Sequence, residues 1–104
     1  MSRSEFIIGR VTREDGCALV DGRVGDGDAP IRVRDTFTAI RHYTVRREGG
    51  AIEIVDGPTE AVCLTVESIE AYRRLLEFAD RGLTARLRVR GDGLERLAEQ
   101  MILS

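Results

Sequence analysis

The sequence contains no lysine, no asparagine and no tryptophan, so all 16 basic residues among its 104 are arginine. A phosphate-binding loop of the form G-x-x-x-x-G-K-[S/T] needs a lysine that contacts the nucleotide phosphates, so the chain has no such loop. Arginine without lysine is typical of GC-rich codon usage. Arginine at any one position is therefore weaker evidence for phosphate recognition than it would be in a lysine-using chain.

The sequence also lacks an excess of basic charge and is poor in aromatic residues. It has 16 basic and 18 acidic residues, for a net charge of −2, and only 5% of its residues are aromatic. Proteins that hold nucleic acid non-specifically usually carry a basic excess, and single-stranded RNA is bound largely by stacking on aromatic side chains. The composition therefore argues against a nucleic-acid-binding protein.

Long hydrophobic runs are absent. No run approaches the roughly 18 apolar residues of a membrane-spanning helix, and the N-terminal MSRSEFIIGRV lacks the hydrophobic core of a signal peptide. With 42% hydrophobic and 33% charged residues, the composition is that of a globular protein able to bury one core. We expect a single domain, residues 1–104, located in the cytoplasm.

Cysteine is scarce as well. The two cysteines, Cys17 and Cys63, lie in the apolar stretches GCALV and AVCLTV, and neither belongs to a C-x-x-C pair of the kind that zinc and redox sites use. We interpret both as small buried hydrophobic side chains. A disulfide between them is the alternative, and it is disfavoured in a reducing cytoplasm. Neither a bound metal nor a cofactor is expected.

What the sequence does contain is a series of short runs in which apolar and polar residues alternate, as they do in half-buried strands. The expected strands are residues 5–11, 17–24, 36–47, 51–55, 60–70 and 83–91. In the third run, the alternation predicts that Phe37, Ala39, Tyr43 and Val45 share one face.

Glycine, aspartate and proline separate these runs. Turns are expected at Asp15-Gly16, in the loop at 25–30, at 48–50 and at the DGPT stretch of residues 56–59. The final LERLAEQMILS predicts one helical or 3₁₀ turn and a short closing strand. Turns that recur about every 8–12 residues favour a β-sandwich or a β-barrel.

The segment SIEAYRRLLEFADRG, residues 68–82, is the one stretch with a helical pattern. Ser68 is placed to cap a helix and Gly82 is placed to end it. The residues that would share one helical face are Ile69, Tyr72, Leu76 and Ala79. Local propensity alone therefore predicts a helix here.

Two sets of residues, matched in order and spacing, carry a family resemblance. The first set is Gly9, Arg10, Val11, Val20, Gly22, Arg23, Val24, Ile31, Val33 and Asp35. The second set is Ser68, Ile69, Glu70, Tyr72, Leu76, Ala79, Gly82, Leu87, Val89, Arg90 and Gly91. Together they resemble the second domain of elongation factor Tu-type translational GTPases over about residues 5–103. The family has a glycine where this chain has Arg34, so the turn at Arg34-Asp35 is expected to differ.

The resemblance implies a closed Greek-key β-barrel, an all-β fold with at most one short helical turn. In the family, the segment up to the position of Tyr72 is a strand and an irregular bend follows it. We therefore expect a strand rather than the locally favoured helix, with residues 73–81 irregular. Because the phosphate loop of the family's GTPase domain is missing, neither GTP binding nor GTP hydrolysis is expected.

The resemblance also implies a function. We expect a non-enzymatic, free-standing translation-factor-like barrel that contacts another protein. In the family this domain packs against neighbouring domains and helps to hold the acceptor end of aminoacyl-tRNA. An accessory protein that binds tRNA or ribosomal RNA is therefore the alternative, and self-association through exposed strand edges stays open.

The stretch LTARLRVRG, residues 83–91, places arginine at every second position. The residues expected to fill the barrel interior are Leu83, Ala85, Leu87 and Val89, and those expected to face outward are Arg86, Arg88 and Arg90. Such a row keeps a strand soluble, with acidic partners such as Glu67 and Glu53 on neighbouring strands. Alternatively it is a contact surface for acidic groups or RNA. The expected contact surface is Arg86, Arg88 and Arg90 together with Asp26 and Asp28.

Two further sets of residues are candidate sites. Asp21, Asp26 and Asp28 would suit a hard cation such as Ca²⁺, but the D-x-D-x-D-G spacing is absent and Asp and Gly are favoured turn residues. His42, the only histidine, is a candidate general base. No nucleophile motif accompanies it, so we expect an exposed surface histidine and no catalytic site.

Overall fold

The computed structural model describes residues 4–27 and 29–104. The strands are β1 (Phe6–Glu14), β2 (Cys17–Val24), β3 (Ile31–Arg32), β4 (Thr36–Glu48), β5 (Ala51–Ala71), β6 (Arg74–Leu76), β7 (Phe78–Ala79), β8 (Thr84–Asp92) and β9 (Met101–Leu103). A 3₁₀ turn at Leu94–Arg96 precedes β9. Within the described ranges, no helix is long and apolar enough to cross a membrane.

Six antiparallel strands close into a barrel. Their order is β4-β9-β1-β2-β8-β5, and the pairing of β5 with β4 completes the circle. β6 extends the sheet from β5, while β3 and β7 form a separate two-stranded sheet. The all-β closed barrel expected from the sequence is confirmed, as is the short helical turn followed by a closing strand.

The closure depends on β9, which lies between β1 and β4. Leu103 pairs with Phe6 on one side and with Ile40 on the other. The Ser104 N–H donates to the Ala39 carbonyl at 3.0 Å, and the Ala39 N–H donates back at 3.1 Å. Without this strand, β1 and β4 would face each other with unpaired backbone groups.

Alternate residues of the barrel strands fill the interior. Those with no more than 1% of their surface exposed include Phe6, Ile8, Val20, Phe37, Ile40, Leu64, Ile69, Leu87 and Leu103. Burying one side chain of this size contributes about 1.5–3 kcal/mol. The alternation predicted for β8 is confirmed, with Ala85, Leu87 and Val89 buried and Leu83 half-buried.

The predicted face of β4 is wrong in one respect. Phe37 is buried, but the next buried side chain is Ile40, and Ala39 is only half-buried. The pairing of β4 with β5 shifts by one residue between Phe37 and Ala39. Such a bulge twists the ladder locally and interrupts the simple two-residue alternation.

The expected turn at residues 56–59 is also wrong, because β5 runs through it without a break. Its pairing with β4 shifts again between Arg41 and Tyr43, so Gly57 and Pro58 together lie opposite His42 as a bulge. Proline lacks an N–H and is tolerated in a strand at bulges and open edges. β8 pairs with β5 only from Cys63 onward, which leaves that outer edge open at Pro58.

Residues 68–82 form no helix. β5 continues to Ala71, Tyr72 and Arg73 form a two-residue turn, and β6 returns antiparallel with Ile69 opposite Leu76. The strand expected up to the aromatic position is therefore confirmed. The segment expected to be irregular instead contains the short strands β6 and β7. In this segment, Leu76 of β6 packs against the core and Ala79 of β7 is part of the core.

Candidate functional site

The arginine row of β8 faces outward, as the sequence predicts. Arg86 lies opposite Asp21 of β2, and its Nε donates to the Asp21 carboxylate at 2.8 Å while an Nη donates to the second oxygen at 3.3 Å. This hydrogen bond, together with the negative charge of Asp21, raises the pKa of Arg86. The guanidinium is thus held by a partner within the barrel.

The other two arginines of the row also have acidic partners. Arg90 Nε donates to Glu67 at 2.9 Å, which confirms one of the two predicted partners. Arg88 lies 3.7 Å from Glu14. Glu53 lies opposite Arg46 of β4, away from this row, so its predicted pairing with the row is wrong. The row is therefore a largely neutralised surface in which each charge already has a counter-charge.

The aspartates do not assemble into a cation site in the part of the chain that the structure describes. Asp21 is engaged with Arg86, and Asp26 is an exposed loop residue. Asp28 lies outside the described residues. Across the described ranges, no group of three or more His, Cys, Asp or Glu side chains is arranged to hold a metal ion.

His42 is half-buried rather than exposed. Its Nε2 lies 2.6 Å from Glu60 Oε2, so a cross-strand hydrogen bond holds the ring. Cys17 is buried as predicted, and its Sγ accepts a hydrogen bond from Arg88 at 3.5 Å. Cys63 is exposed, which contradicts its predicted burial. Cys63 fails the prediction because its side chain points outward between the buried Val62 and Leu64 of the same strand.

β4 and β5 extend together beyond the barrel as a two-stranded ribbon, which we call the arm (residues 43–56). β9 pairs with β4 only up to His42, and β8 pairs with β5 only from Cys63, so within the described chain the arm strands pair only with each other. Gly49 and Gly50 form its tip, with φ of 58° and 86° as a type I′ hairpin turn requires. The tight turn expected at 48–50 is confirmed.

The two faces of the arm differ in chemistry. Cross-strand neighbours share a face, and one face therefore carries Tyr43, Val45, Arg47, Ile52, Ile54 and Asp56. The other face carries Thr44, Arg46, Glu48, Ala51, Glu53 and Val55. Ile52 is 68% exposed, Ile54 65% and Val45 43%, so the first face presents aliphatic side chains to solvent. We call it the apolar face of the arm.

A second exposed apolar group lies at the turn between β5 and β6. Tyr72 is 83% exposed and Leu75 is 76% exposed, and Phe78 of β7 is partly exposed beside them. Tyr72 and Arg73 both have positive φ, 53° and 62°, where Gly and Asn are favoured. The Arg32 guanidinium lies 6.0 Å from the centre of the Phe78 ring. We call Tyr72, Leu75 and Phe78 the barrel-end patch.

Phe78 of the barrel-end patch lines an open groove of about 510 Å³. The residues that line it are Leu76, Glu77, Phe78, Asp80, Arg81, Gly82 and Leu83. Arg81 and Asp80 also border the described part of the loop at 25–30, through Gly27, Ala29 and Pro30. The loop that the sequence assigns to a contact surface therefore lies beside this groove rather than beside the arginine row.

Sequence patterns did not single out either exposed apolar group. In the arm, the alternation of Val45 with its neighbours is the same as in a core strand, and only the tertiary structure shows that Val45 is exposed among the described residues. Tyr72 and Leu76 fit one face of a helix as well as they fit a hairpin. The helical periodicity of residues 68–82 therefore gave no indication of an exposed turn at Tyr72. The stretch Glu48-Gly49-Gly50-Ala51 marks the turn at the tip of the arm, but it does not indicate how far the two strands extend from the barrel.

Comparison with known proteins leaves the family open. No protein-family model matches the chain, and a search of curated proteins finds no match. The resemblance to the second domain of elongation factor Tu-type GTPases therefore stays a proposal.

Proposed function

We propose that this chain is a non-enzymatic protein-binding module, a β-barrel of translation-factor type, that contacts a protein partner through the apolar face of the arm. The observation that supports this proposal is the exposure of Val45, Ile52 and Ile54 on a ribbon that projects from a closed barrel. Contiguous exposed apolar groups on a small domain mark interaction surfaces, and an isolated two-stranded ribbon is marginally stable without a cover.

The arm is a better candidate than the arginine row of the sequence-based expectation. Arg86, Arg88 and Arg90 each face a carboxylate on a neighbouring strand. A partner would have to displace these pairs, and exposed ion pairs exchange for others with little net gain. The aliphatic side chains of the arm, by contrast, gain about 25 cal/mol for each Å² that a partner covers.

The proposal is tested by capture from native cell extract, with and without ribonuclease, followed by mass spectrometry. The test variant is Val45→Thr/Ile54→Thr, which removes a cross-strand apolar pair and keeps β-branched side chains. The matched control is Arg46→Thr/Glu53→Thr, the adjacent cross-strand pair on the other face. We expect protein partners that survive ribonuclease, are lost with the test variant and are kept with the control.

Partners that vanish with ribonuclease would overturn the proposal, as would protein partners that bind both variants equally. Because both variants change two cross-strand neighbours in the same ribbon, a general weakening of the arm would affect them alike. Only a difference between the two assigns the contact to the apolar face.

RNA binding is the second candidate, and one observation favours it. Four arginines lie on the segments around the barrel-end patch, namely Arg32, Arg34, Arg73 and Arg74. None of them forms an ion pair with a carboxylate that the structure describes. Exposed aromatic rings beside unpaired arginines suit single-stranded RNA, whose bases stack on such rings.

This candidate is tested by fluorescence anisotropy with a labelled single-stranded RNA oligonucleotide over a range of salt concentrations. RNA binding predicts an affinity that falls steeply with salt and that Tyr72→Ala lowers by about 1–3 kcal/mol. Affinity that is undetectable at low salt, or equal for Tyr72→Ala and the native chain, removes this candidate.

A further inference from the structure

The apolar face of the arm has no cover within the described chain. Its aliphatic side chains lie on a ribbon whose two strands pair only with each other within the described residues, from Tyr43 and Asp56 at the base to the turn at the tip. The core of the barrel is complete without the arm, since none of the arm residues belongs to the buried cluster. The face is therefore available to a surface outside the chain.

Pairing of arms through their outer edges is disfavoured by charge. The arm part of β4 carries Arg46, Arg47 and Glu48, whereas the arm part of β5 carries Glu53 and Asp56 and no basic residue. A two-fold axis places like strands together, so two β5 edges would join strands that carry only acidic charge, and two β4 edges would join strands that each carry a net positive charge. Pairing β4 of one copy with β5 of another would join strands of opposite charge. This contact uses different edges on the two copies, so it leaves a free β5 edge on one copy and a free β4 edge on the other, where further copies can add.

Stacking of two apolar faces, in contrast, is self-complementary. Val45 and Ile54 form a cross-strand pair at the middle of the face. Arg47 lies two residues from this pair toward the tip, and Asp56 lies two residues from it toward the base. A two-fold axis at the middle of the face therefore places Arg47 of each copy over the Tyr43–Asp56 pair of the other, and covers the aliphatic side chains of both.

The charges at the base of the arm are compatible with this arrangement. Asp56 lies 3.8 Å from Arg41 Nε, and its side chain is 67% exposed, so it has room for a second cation. Arg41 also contacts Glu5 at 3.4 Å, which offsets its own charge. The incoming Arg47 therefore meets a site whose net charge is not positive.

The size of the face sets the strength of the contact. A six-residue ribbon is about 20 Å long and about 10 Å wide, so two stacked faces of about 200 Å² each bury on the order of 400 Å² in projection. Stable dimers bury about 1,200–2,000 Å², which places this contact among weak and reversible ones.

We infer that the protein partner of the arm is a second copy of this chain, with the two apolar faces stacked about a two-fold axis and Arg47 of each copy set against Asp56 of the other. This inference rests on the proposed function, since it names the partner of the surface proposed there.

The test is sedimentation equilibrium of the native chain and its variants between about 5 and 500 µM, a range suited to weak association. We expect a reversible monomer–dimer equilibrium that Arg47→Glu weakens by at least about tenfold, because it sets two carboxylates against each other. The double variant Arg47→Glu/Asp56→Arg exchanges the charges and is expected to restore the dimer. The matched control, Arg46→Glu/Glu53→Arg, makes the same exchange on the opposite face and is expected to leave association unchanged.

A native chain that is monomeric throughout this range overturns the inference, as does a dimer that Arg47→Glu leaves intact. If Arg47→Glu abolishes the dimer and the double variant does not restore it, then Arg47 does not lie against Asp56 of the other copy. That result overturns the proposed arrangement of the two faces. A monomeric chain whose arm still captures a different protein from extract would contradict the second copy while leaving the proposed function standing. An arm that binds neither itself nor another protein would contradict both.

Discussion

At the scale of single residues, the backbone departs from ordinary side-chain preferences at Arg34, Tyr72 and Arg73, all of which have positive φ. The Arg34 N–H donates to the Val66 carbonyl at 2.7 Å, and the Asp35 carbonyl accepts from the Val66 N–H at 2.8 Å. The turn therefore has a left-handed backbone at Arg34, a conformation that glycine adopts more readily than arginine. Tertiary hydrogen bonds hold the residue in a conformation that it does not favour.

Replacing Arg34 by glycine is expected to stabilise the protein. The left-handed conformation, φ 79° at this residue, costs an ordinary side chain about 1–2 kcal/mol and costs glycine little. Part of this gain is offset by the greater freedom of glycine in the unfolded chain, so the expected net gain is about 0.5–1 kcal/mol. Urea unfolding measures it. Arg34→Ala is the control, since it removes the side chain and keeps the strain, and equal gains for both variants would contradict this explanation.

Gly22 is expected to tolerate no side chain. A Cβ at this position would lie 2.0 Å from the Ile7 backbone carbonyl oxygen, because β1 and β2 approach closely at their bulge. Gly22→Ala must push two backbones apart, which we expect to cost about 3 kcal/mol, the upper part of the range for overpacking. Gly9→Ala is the matched control, since its Cβ would meet Asp21 at an ordinary 3.5 Å. Thermal unfolding that shows similar losses for both would contradict the close approach.

At the scale of elements, the arginine row of β8 is a candidate binding surface by its sequence pattern, but carboxylates on the neighbouring strands neutralise its charge in the structure. Its alternation of buried and outward residues follows directly from the sequence. The partners of its arginines, however, come from β1, β2 and β5, which the sequence separates by as many as 74 positions between Arg88 and Glu14. Strand order alone decides that these carboxylates lie beside the row.

The role of the row is tested by Arg88→Glu. Arg88 makes an ion pair of 3.7 Å in a half-exposed setting, so its reversal is expected to lower the free energy of unfolding by about 1 kcal/mol or less. We expect partner capture to be unchanged, because the apolar face of the arm makes the contact. Loss of the partner at an unchanged melting temperature would instead assign the contact to the row.

The arm is expected to be dispensable for the barrel. Deleting residues 44–48 and 51–55 leaves Tyr43-Gly49-Gly50-Asp56, in which the native cross-strand pair flanks the native two-residue turn. Because no arm residue lies in the core, the shortened chain is expected to unfold cooperatively with a melting temperature within a few degrees of the native one. Circular dichroism measures this, and a large loss of stability would show that the arm supports the barrel.

At the scale of the whole molecule, the barrel is closed by its shortest barrel strand. β9 contributes only Met101–Leu103, yet it joins the first strand of the chain to the fourth. The fold is therefore complete only when the last residues return to β1, and most stabilising contacts join distant parts of the chain. Such a topology is typical of slow-folding β-proteins.

Ending the chain at Gln100 is expected to abolish cooperative folding. The truncation removes the fully buried Leu103 and exposes the facing edges of β1 and β4, which are then free to pair with other chains. Loss of the thermal transition, accompanied by aggregation, is the expected result. Leu103→Ala keeps the strand backbone and is expected to lose only about 2–5 kcal/mol. A truncated chain that unfolds with the native midpoint would show that β9 does not close the barrel.

The sequence by itself determined the strand-rich class, the β1–β2 hairpin, the tip of the arm and the inward residues of β8. These features depend on local alternation and on turn residues, which act over a few positions. It did not determine the unbroken course of β5, because Asp56-Gly57-Pro58 is a turn signal unless a bulge and an open edge accommodate the proline. Nor did it determine the burial of Ile40, which follows from the shifted register with β5. The exposure of Cys63 follows from alternation along its own strand, which the prediction of two buried cysteines did not apply.

Only the tertiary structure decided which surfaces are free. The order of the barrel strands places carboxylates beside the arginine row and leaves Ile52 and Ile54 exposed among the described residues, although both groups lie in equally regular strands. Alternation specifies which side chains share a face, but burial of that face depends on long-range pairing, which no local pattern contains. For this protein the fold could be predicted from the sequence, whereas the candidate contact surface emerged only from the way the strands close.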